Sequence, residues 1–578
     1  MTDQVASHVP TQTSVQSILG SVKENGLNIW AALLGLFILL PVGSVLWLAL
    51  SPTDNVWPHL IKYVLPEAFG TTLWLMLGVG LIVFFVGVST AWLVTMCTFP
   101  GRRFFDIALL LPFAVPTYII AFSYVEVMDY SGPIQSFIRE IFGFQTSRDY
   151  WFPEIRSLGG ATFVMGFVLY PYVYMTTRAS FLIQSACALD VSRTLGAGPT
   201  RLFFKVAIPL ARPAIVVGMT LALIEAMNDI GAVTFFGVKT LSFSIYDTWL
   251  NRSSLSGAAQ ISCAMILLVV LLMFIESYGR RKQRFHQSTG AYRSLPNYTL
   301  SGWRSGLAVL ACTLPVILGF VVPASLLLDR AVRRYEELFN PTLWSAAWNT
   351  LWLSGIASVL TVVIGLALAY SIRLQTTPVN RALARLTSIG YALPGTILAV
   401  GVLFPVAALD NVIADSARSL FGISTGLLIL GSGAALVYAY VVRFLAVSFG
   451  QINGGLGKIS PHLDMAARTL GSSSSRTLLR IHTPLLKPVL LSAALMAFVE
   501  CMKELPTTIL LRPFNFETLA TTVFNAASRE AFEDASLPAL TIVLVGIVPV
   551  IMLARTSANT FRGKMTRTRH NCAPDCRG

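Results

Sequence analysis

Long stretches of apolar residues restrict the folds open to this chain more than any other feature of its sequence. A helix that rises 1.5 Å per residue needs about 20 residues to cross about 30 Å of hydrocarbon. Twelve stretches approach or exceed that length, and we predict that each forms a membrane-spanning helix. They lie near residues 29–50, 68–98, 106–127, 160–183, 210–236, 257–279, 305–328, 348–372, 387–410, 425–449, 486–511 and 536–556.

The balance of apolar and charged residues agrees with a membrane protein. The chain has 578 residues, of which 54% are hydrophobic and 12% are charged, whereas soluble domains carry about 25% charged residues. Residues 1–28 are polar, and the apolar stretch after them has neither a short basic start nor a small-residue cleavage site. We therefore expect no removable signal peptide and a first helix that is retained.

The net charge of +14 is compatible with nucleic-acid binding or with the basic residues that flank the cytoplasmic ends of membrane helices. Well over half of the 42 Lys and Arg residues fall in alternate loops and the termini, which favours the second interpretation. We predict that both termini and these loops are cytoplasmic and that no nucleic acid is bound. Arg178, Arg443 and Lys503 are exceptions, because they fall inside predicted helices.

An internal repeat organises the chain into two halves. The segment TTLWLMLGVG at 71–80 resembles NTLWLSGIAS at 349–358, which lies 278 residues later. The same offset relates Gly87, Pro100, Arg103 and Pro116 to Gly365, Pro378, Arg381 and Pro394. Because six helices per half is an even number, both halves have the same orientation, and the transport pathway is expected between them.

These boundaries predict an all-α polytopic membrane protein with two homologous six-helix halves. The predicted segments are a cytoplasmic tail at 1–28, a first half at 29–279, a basic cytoplasmic linker at 280–304, a second half at 305–556 and a basic cytoplasmic tail at 557–578.

A hydrophilic loop after the fourth helix of each half is repeated, at 189–213 and at 466–488, and an offset of 275 residues aligns Gly196 with Gly471 and Pro213 with Pro488. Each copy is predicted to form a short helix, a break at glycine, a second amphipathic helix and a proline at the start of the next span. Since ordinary loops tolerate change, the fixed spacing indicates a surface that binds a partner.

The two loops resemble the EAA motif of ABC importer permeases. Thirteen residues separate Gly196 from Pro209 and Gly471 from Pro484, as in that motif, although the leading EAA is degenerate in both copies. In that family the loop helix lies in a groove of a cytoplasmic ATPase and transmits its closure to the membrane helices. The resemblance implies coupling contacts at Asp190, Arg193, Gly196, Arg201, Pro209, Ala466, Ala467, Arg468, Gly471, Arg476 and Pro484.

The resemblance also implies the type I ABC importer permease fold and its partners. One fused permease would pair with two copies of the ATPase and with a periplasmic substrate-binding protein, in a bacterial inner membrane. ATP and magnesium would be bound by the ATPase, and no cofactor by this chain. The segment GQINGGLGK at 450–458 does not alter that expectation, because a phosphate-binding loop needs Ser or Thr where Ile459 follows Lys458.

Three segments make the chain most similar to ferric iron importers: VEVMDYSGPIQ at 125–135, IEAMNDIGAVTFFG at 224–237, and the segment at 499–530. Permeases for thiamine, phosphonate, polyamines and sulfate share the architecture, so these cargoes remain alternatives.

Four carboxylates in predicted helices are candidates for the translocation pathway, because a buried charge in a membrane is costly unless it has a function or a partner. Glu225 and Asp229 recur at the 275-residue offset as Glu500 and Glu504. The spacing predicts that each pair shares one helical face, and carboxylate oxygens suit a hard cation. The alternative is structural: the carboxylates pair with Lys503, Arg178 or Arg443, or cap broken helix ends.

Two other classes of protein are weighed against an ABC permease. An ion-coupled secondary transporter also has repeats and buried carboxylates, but the paired loops argue against it. A membrane enzyme is disfavoured because the sequence has no HExxH or GxSxG motif, and its seven cysteines form no CxxC pair that would indicate a metal site. The chain is therefore predicted to be a translocation subunit rather than an enzyme.

Overall fold

The computed structural model describes residues 33–51, 56–183, 192, 198–280, 298–374 and 377–570. Within these ranges, eleven helices are long and apolar enough to span a membrane, or twelve when one bent pair counts as a single span. The prediction of a polytopic all-α membrane protein is confirmed. The spans, M1 to M12, are Leu33–Leu50, Trp57–Met96, the bent pair Arg102–Ala114 and Thr117–Phe142, Leu158–Leu182, Pro199–Asn228, Leu255–Gly279, Trp303–Arg333, Pro341–Leu374, Gly395–Phe421, Ala434–Leu456, Ser474–Met502 and Phe532–Met552.

Proline breaks the third span of each half at the same point of the repeat. The two parts of M3 meet at 91°, and Pro116 precedes the second part, which begins at Thr117. In the second half, the helix Pro378–Ala392 ends before Pro394, and M9 begins at Gly395. Proline lacks the N–H that a continuous helix would use, and it disfavours helical backbone at the residue before it.

The fifth span of each half ends earlier than the sequence predicted. M5 ends at Asn228 and M11 at Met502, whereas the apolar stretches run on to 236 and 511. The remaining apolar residues form separate short helices, Ile230–Phe235 and Leu241–Tyr246 in the first half and Pro506–Leu511 and Leu519–Ser528 in the second. The expectation that each carboxylate pair shares the face of one continuous helix is therefore wrong.

The repeat is visible in individual hydrogen bonds. Thr72 in M2 accepts a hydrogen bond from the backbone N–H of Leu241 at 3.0 Å, and Thr350 in M8 accepts one from Leu519 at 2.8 Å. Both bonds join residues 169 apart. In each half, the second span thus fixes the N-terminus of the helix that precedes the last span.

The first span of each half packs against the other half. The hydroxyl of Tyr438 in M10 donates to the carbonyl of Phe37 in M1 at 2.6 Å. Reciprocally, the hydroxyl of Tyr124 in M3 donates to the carbonyl of Leu318 in M7 at 2.7 Å. These exchanged contacts hold the two halves side by side around a shared interface.

The helices of each half pack around a buried interior and expose apolar side chains on the outer surface of the bundle. M2 packs against M4 and M5, and M8 packs against M10 and M11. Large apolar side chains such as Trp74, Phe85 and Leu267 are exposed on the outside, as expected for helices surrounded by lipid. The described strands are two short ones, β1 (Cys97–Thr98) and β2 (Tyr298–Thr299), which pair in parallel.

Candidate functional site

A narrow pocket lies beside the proline break of M3, where the C-terminal ends of M5 and M11 meet. All four predicted pathway carboxylates line it, two from each half. The full lining is Pro112, Phe113, Val115, Pro116, Thr117, Tyr118, Val168, Leu169, Tyr172, Glu225, Asn228, Asp229, Glu500, Lys503, Glu504 and Pro506.

Two of the carboxylates cap the short helices that follow the breaks. Asp229 accepts a hydrogen bond from the backbone N–H of Ala232 at 2.8 Å. Glu504 accepts one from the backbone N–H of Thr507 at 3.1 Å and another from its hydroxyl at 2.7 Å. The first N–H groups of a helix have no partner within the helix, and a negative side chain there also suits the helix dipole. Helix capping, one of the structural alternatives, therefore holds for these two residues.

Both carboxylates of the second half are paired with cations. Arg443 in M10 lies 2.6 Å from Glu504, and Lys503 lies 2.9 Å from Glu500. Arg178, the third cation considered, is paired elsewhere, because its guanidinium makes hydrogen bonds of 2.6 and 2.8 Å to both carboxylate oxygens of Asp106.

The carboxylates of the first half, unlike those of the second, are not paired with cations in the described part of the chain. Among the described residues, neither Glu225 nor Asp229 forms an ion pair. The repeat offset explains the difference, since Arg443 corresponds to Val168 and Lys503 to Asn228. The pocket thus holds four carboxylates and has two neighbouring cations, and both cations form their ion pairs with carboxylates of the second half.

Sequence reasoning overlooked the polar residues that complete the pocket. The Tyr118 hydroxyl is buried, with the residue 3% exposed, and it has no hydrogen-bond partner among the described residues. Asn228 accepts a hydrogen bond from the backbone N–H of Gly395 at 2.6 Å, which joins M5 to M9 across the two halves. Asn228 could have been noticed as the residue that replaces Lys503 in the repeat, but nothing in the sequence distinguishes Tyr118.

Gly395 is required by close packing at this point. A β-carbon there would lie 2.4 Å from Arg443 and from Thr507, and 2.6 Å from Glu504. Any side chain at this position would push apart the ion pair beside it. The residue follows Pro394, so the proline break and the glycine together bring the backbone of M9 against the pocket.

The carboxylates do not form a ready coordination shell. Within the described ranges, no group of three or more His, Cys, Asp or Glu side chains is arranged to hold a metal ion. The pocket can offer a cation electrostatic attraction and individual oxygen contacts, but it lacks the several convergent ligands of a storage site.

The second predicted coupling loop is fully described. It has a helix at Pro461–Thr469, a break at Gly471 with φ of 73°, and a further helix that begins at Ser474, the first residue of M11. This is the predicted order of elements. Ala467 is buried, whereas Ala466, Arg468, Arg476 and Pro484 are exposed.

Apolar side chains are also exposed on this loop. Leu470 is 86% exposed and Met465 is 52% exposed. Exposed apolar side chains next to exposed arginines are the composition expected where a protein partner docks.

An ion-pair cluster anchors the loop to the bundle. Asp464 accepts hydrogen bonds from Arg373 at the end of M8, at 2.9 and 2.7 Å, and lies 2.5 Å from His482 Nε2. Arg373 also donates to the carbonyls of Leu456 and Ile459. Partial burial raises the pKa of Asp464, but the hydrogen bonds from Arg373 and His482 outweigh it, so the pKa is lowered from 3.8. The loop helix is therefore tied to both M8 and M11.

The first predicted coupling loop is described only in part. Asp190, Arg193 and Gly196 lie outside the described residues. Arg201 is exposed in the helix Pro199–Leu202, and Pro209 lies in the first turn of the helix Ile208–Asn228. These two positions match Arg476 and Pro484 of the second loop.

Comparison with known proteins gives one family and several relatives. Residues 83–284 match the family described as the binding-protein-dependent transport system inner membrane component. The Fe(3+)-transport system permease protein FbpB 2 of Haemophilus influenzae is 23% identical, over 85% of this chain and 90% of that protein.

Two further relatives cover less of one chain or the other. The ferric transport system permease protein FbpB of Actinobacillus pleuropneumoniae is 25% identical over 77% of this chain, but the match spans only 64% of that relative. The molybdenum transport system permease protein ModB of Escherichia coli is 28% identical, over 34% of this chain and 86% of its own length.

Proposed function

Because the chain is an inner-membrane permease of the binding-protein-dependent ABC importer family, in the fused two-half form, we propose that it carries ferric iron across the membrane. Relatives matched over most of this chain are named as ferric permeases. The observation that carries the proposal is the charge of the pocket between the halves, where four carboxylates face two cations.

The same charge argues against an anionic cargo. Relatives that cover part of the chain are named for molybdenum and sulfate. A pathway for molybdate or sulfate would need cations or free N–H groups to offset the charge of the cargo. Here Asp229 and Glu504 already occupy the N-termini of the two short helices, so the pocket would repel an oxyanion.

An organic cation is the second candidate, and the aromatic lining of the pocket favours it. Phe113, Tyr118 and Tyr172 face the same space as the carboxylates. Aromatic faces attract ammonium groups, so a polyamine or thiamine would find both charge and ring contacts there. Competition for ferric iron uptake distinguishes a polyamine or thiamine from iron as the cargo.

The permease is proposed to work with two copies of a separate ATPase, which would bind ATP and magnesium and dock on the two coupling loops. The exposed Leu470 and Met465 and the firm anchor of Asp464 support that role for the second loop. In this arrangement the coupling loops and both termini are cytoplasmic, and a periplasmic binding protein delivers the cargo to the opposite side. The chain itself would hydrolyse nothing.

Uptake by cells that produce the permease with its ATPase and binding protein tests the cargo. Radiolabelled ferric iron should enter in an ATP-dependent manner, and excess molybdate, sulfate, thiamine or spermidine should not compete. Uptake that needs a proton or sodium gradient but no ATPase would instead indicate a secondary transporter. Competition by spermidine or thiamine would replace iron with an organic cation.

A further inference from the structure

The two ion pairs of the pocket differ in how closely the surrounding groups pack around them. Arg443 and Glu504 are each 5% exposed, and Glu504 accepts two further hydrogen bonds from Thr507. The missing side chain of Gly395 lets the backbone of M9 close over this pair. A guanidinium held on several sides by packed groups has little freedom to leave.

Lys503 is held by fewer contacts. Its ammonium group lies 2.9 Å from Glu500, three residues earlier and in the last turn of M11. The same group lies 4.6 Å from the centre of the Phe113 ring, on the opposite half. A lysine side chain is a point charge on a flexible stem, and an aromatic face can hold an ammonium group without a carboxylate. The ammonium group of Lys503 therefore contacts Glu500 and Phe113 at the same time, and the ring contact would remain if another cation took Glu500.

The proposed function, on which this inference rests, is that the pocket passes a cation. We infer that Lys503 is a tethered counter-ion, which pairs with Glu500 until the cargo displaces it. A trivalent cation interacts with a carboxylate more strongly than an ammonium group does at the same distance, whereas a monovalent cation has no such advantage. Lys503 is thus a specificity-determining residue, which admits a highly charged cation and rejects sodium or potassium.

The first half supplies the groups that the cargo meets before the exchange. Glu225 has no hydrogen bond or ion pair within the part of the chain that the structure describes. The buried hydroxyl of Tyr118 lines the same pocket, also without a partner among the described residues. A cation attracted to Glu225 then lies in the same pocket as Glu500, and after the exchange the ammonium group of Lys503 keeps its contact with Phe113.

Terbium binding measures this exchange directly. The purified complex of the permease with its ATPase is placed in lipid nanodiscs, and Tb³⁺ luminescence is excited through tyrosine, since Tyr118 and Tyr172 line the pocket. The Lys503→Met variant frees Glu500 and should bind Tb³⁺ about tenfold more tightly or better, the range measured for close charge pairs. The Lys503→Arg variant should bind it more weakly than the wild type, because a guanidinium holds a carboxylate with two hydrogen bonds.

Paired variants separate the possible outcomes. In Glu500→Gln with Lys503→Met the gain in affinity should disappear, because the freed carboxylate is gone. If Lys503→Met fails to accumulate, the charge-preserving Lys503→Arg variant still tests the exchange. Unchanged Tb³⁺ affinity in the Lys503 variants that accumulate would overturn the inference, provided that Glu225→Gln weakens binding. If Glu225→Gln and Asp229→Asn leave Tb³⁺ binding unchanged as well, the proposed cation pathway itself fails.

Discussion

Arg443 and Glu504 form an ion pair at 2.6 Å in the interior of the second half, although 61 residues separate them in the chain. The equivalent positions of the first half are Val168 and Asp229, which cannot form such a pair. The same carboxylate of the repeat therefore has different surroundings in the two halves. In the second half it is part of the scaffold, and in the first it remains without a neighbouring cation.

Removing the cation of this pair should destabilise the protein. Arg443→Met leaves Glu504 buried without its partner, at a cost of about 3–5 kcal/mol by analogy with soluble proteins. The double variant Arg443→Met with Glu504→Gln has no charge left at either position of this pair and should recover much of that loss. Thermal unfolding, followed by fluorescence-detected size exclusion, measures both. A single variant as stable as the wild type would contradict a structural role for the pair.

The anchor of the second coupling loop gives a second prediction. Asp464→Asn removes the charge that holds Arg373 and His482 and should loosen the helix Pro461–Thr469 by about 1.5–3 kcal/mol, the range for hydrogen bonds to charged groups. Hydrogen exchange of this helix measures the effect, and the helix Leu519–Ser528 on another part of the bundle is the internal control. Equal exchange of the loop helix in both proteins would show that Asp464 is not an anchor.

The pH dependence of this anchor follows from the sign of the pKa shift. Folding lowers the pKa of Asp464 from 3.8, so its carboxylate stabilises the folded loop above that pH and the contribution is lost as the pH falls through the lowered pKa. The difference in exchange between the wild type and Asp464→Asn should therefore persist from about pH 8 down to about pH 5, because Asp464 stays ionised throughout this range. A difference that vanishes near pH 6 would mean that Asp464 is not the titrating group.

The glycine of each proposed coupling loop gives a third prediction. Gly471 has φ of 73° and open space around it, so a side chain costs about 1–2 kcal/mol through the left-handed backbone alone. A bulky residue at Gly471 together with one at Gly196 should leave the permease in the membrane but lose the ATPase on purification. Gly454→Leu, nearby in open space and in a helix, is the control. Full transport by the double glycine variant would remove the proposed coupling role.

The orientation of the chain gives a fourth prediction. Ser147, between M3 and M4, and Ser475, in the first turn of M11, are both exposed, and the order of the spans puts them on opposite sides of the bundle. In a variant without the native cysteines, Ser147→Cys should react with a membrane-impermeant thiol reagent applied from the periplasm, and Ser475→Cys should react only after the membrane is opened. The reverse pattern would place the coupling loops outside and exclude an ATPase on them.

The number of spans could be predicted from the sequence because each apolar stretch is longer than a membrane requires, so small errors at its ends change nothing. The repeat likewise identified Glu225, Asp229, Glu500 and Glu504 as candidates for the pathway, and the structure brings all four to one pocket. Hydropathy could not predict where M5 and M11 end, since the helices after the breaks at Asp229 and Glu504 are as apolar as the spans. When a helix breaks and the residues on both sides stay buried, the hydropathy of the sequence does not change at the break.

The cations that pair with the carboxylates could not be predicted from the sequence. Arg178, Arg443 and Lys503 were equal candidates in the sequence, because each is a cation in a predicted helix. Only the packing of the helices assigns Arg178 to Asp106 and the other two to the pocket. The hydroxyl of Tyr118 could not be singled out for the same reason, since its significance lies in what surrounds it.

The central claim is that the first-half carboxylates carry a cation between the halves. Its most direct test is uptake of radiolabelled ferric iron, normalised to permease abundance, by the double variant Glu225→Gln with Asp229→Asn. Both amides keep the shape of the side chain, and the amide oxygen of Asn can still cap the helix Ile230–Phe235. The exposed Asp415→Asn is the matched control, because it removes a charge outside the pocket.

Uptake by the double variant should fall by about tenfold or more, the equivalent of losing about 1.4 kcal/mol of attraction for the cargo. Abundance and ATPase association should stay at wild-type levels, and Asp415→Asn should transport normally. Normal ferric uptake by the double variant at normal abundance would contradict the claim that these carboxylates form the pathway.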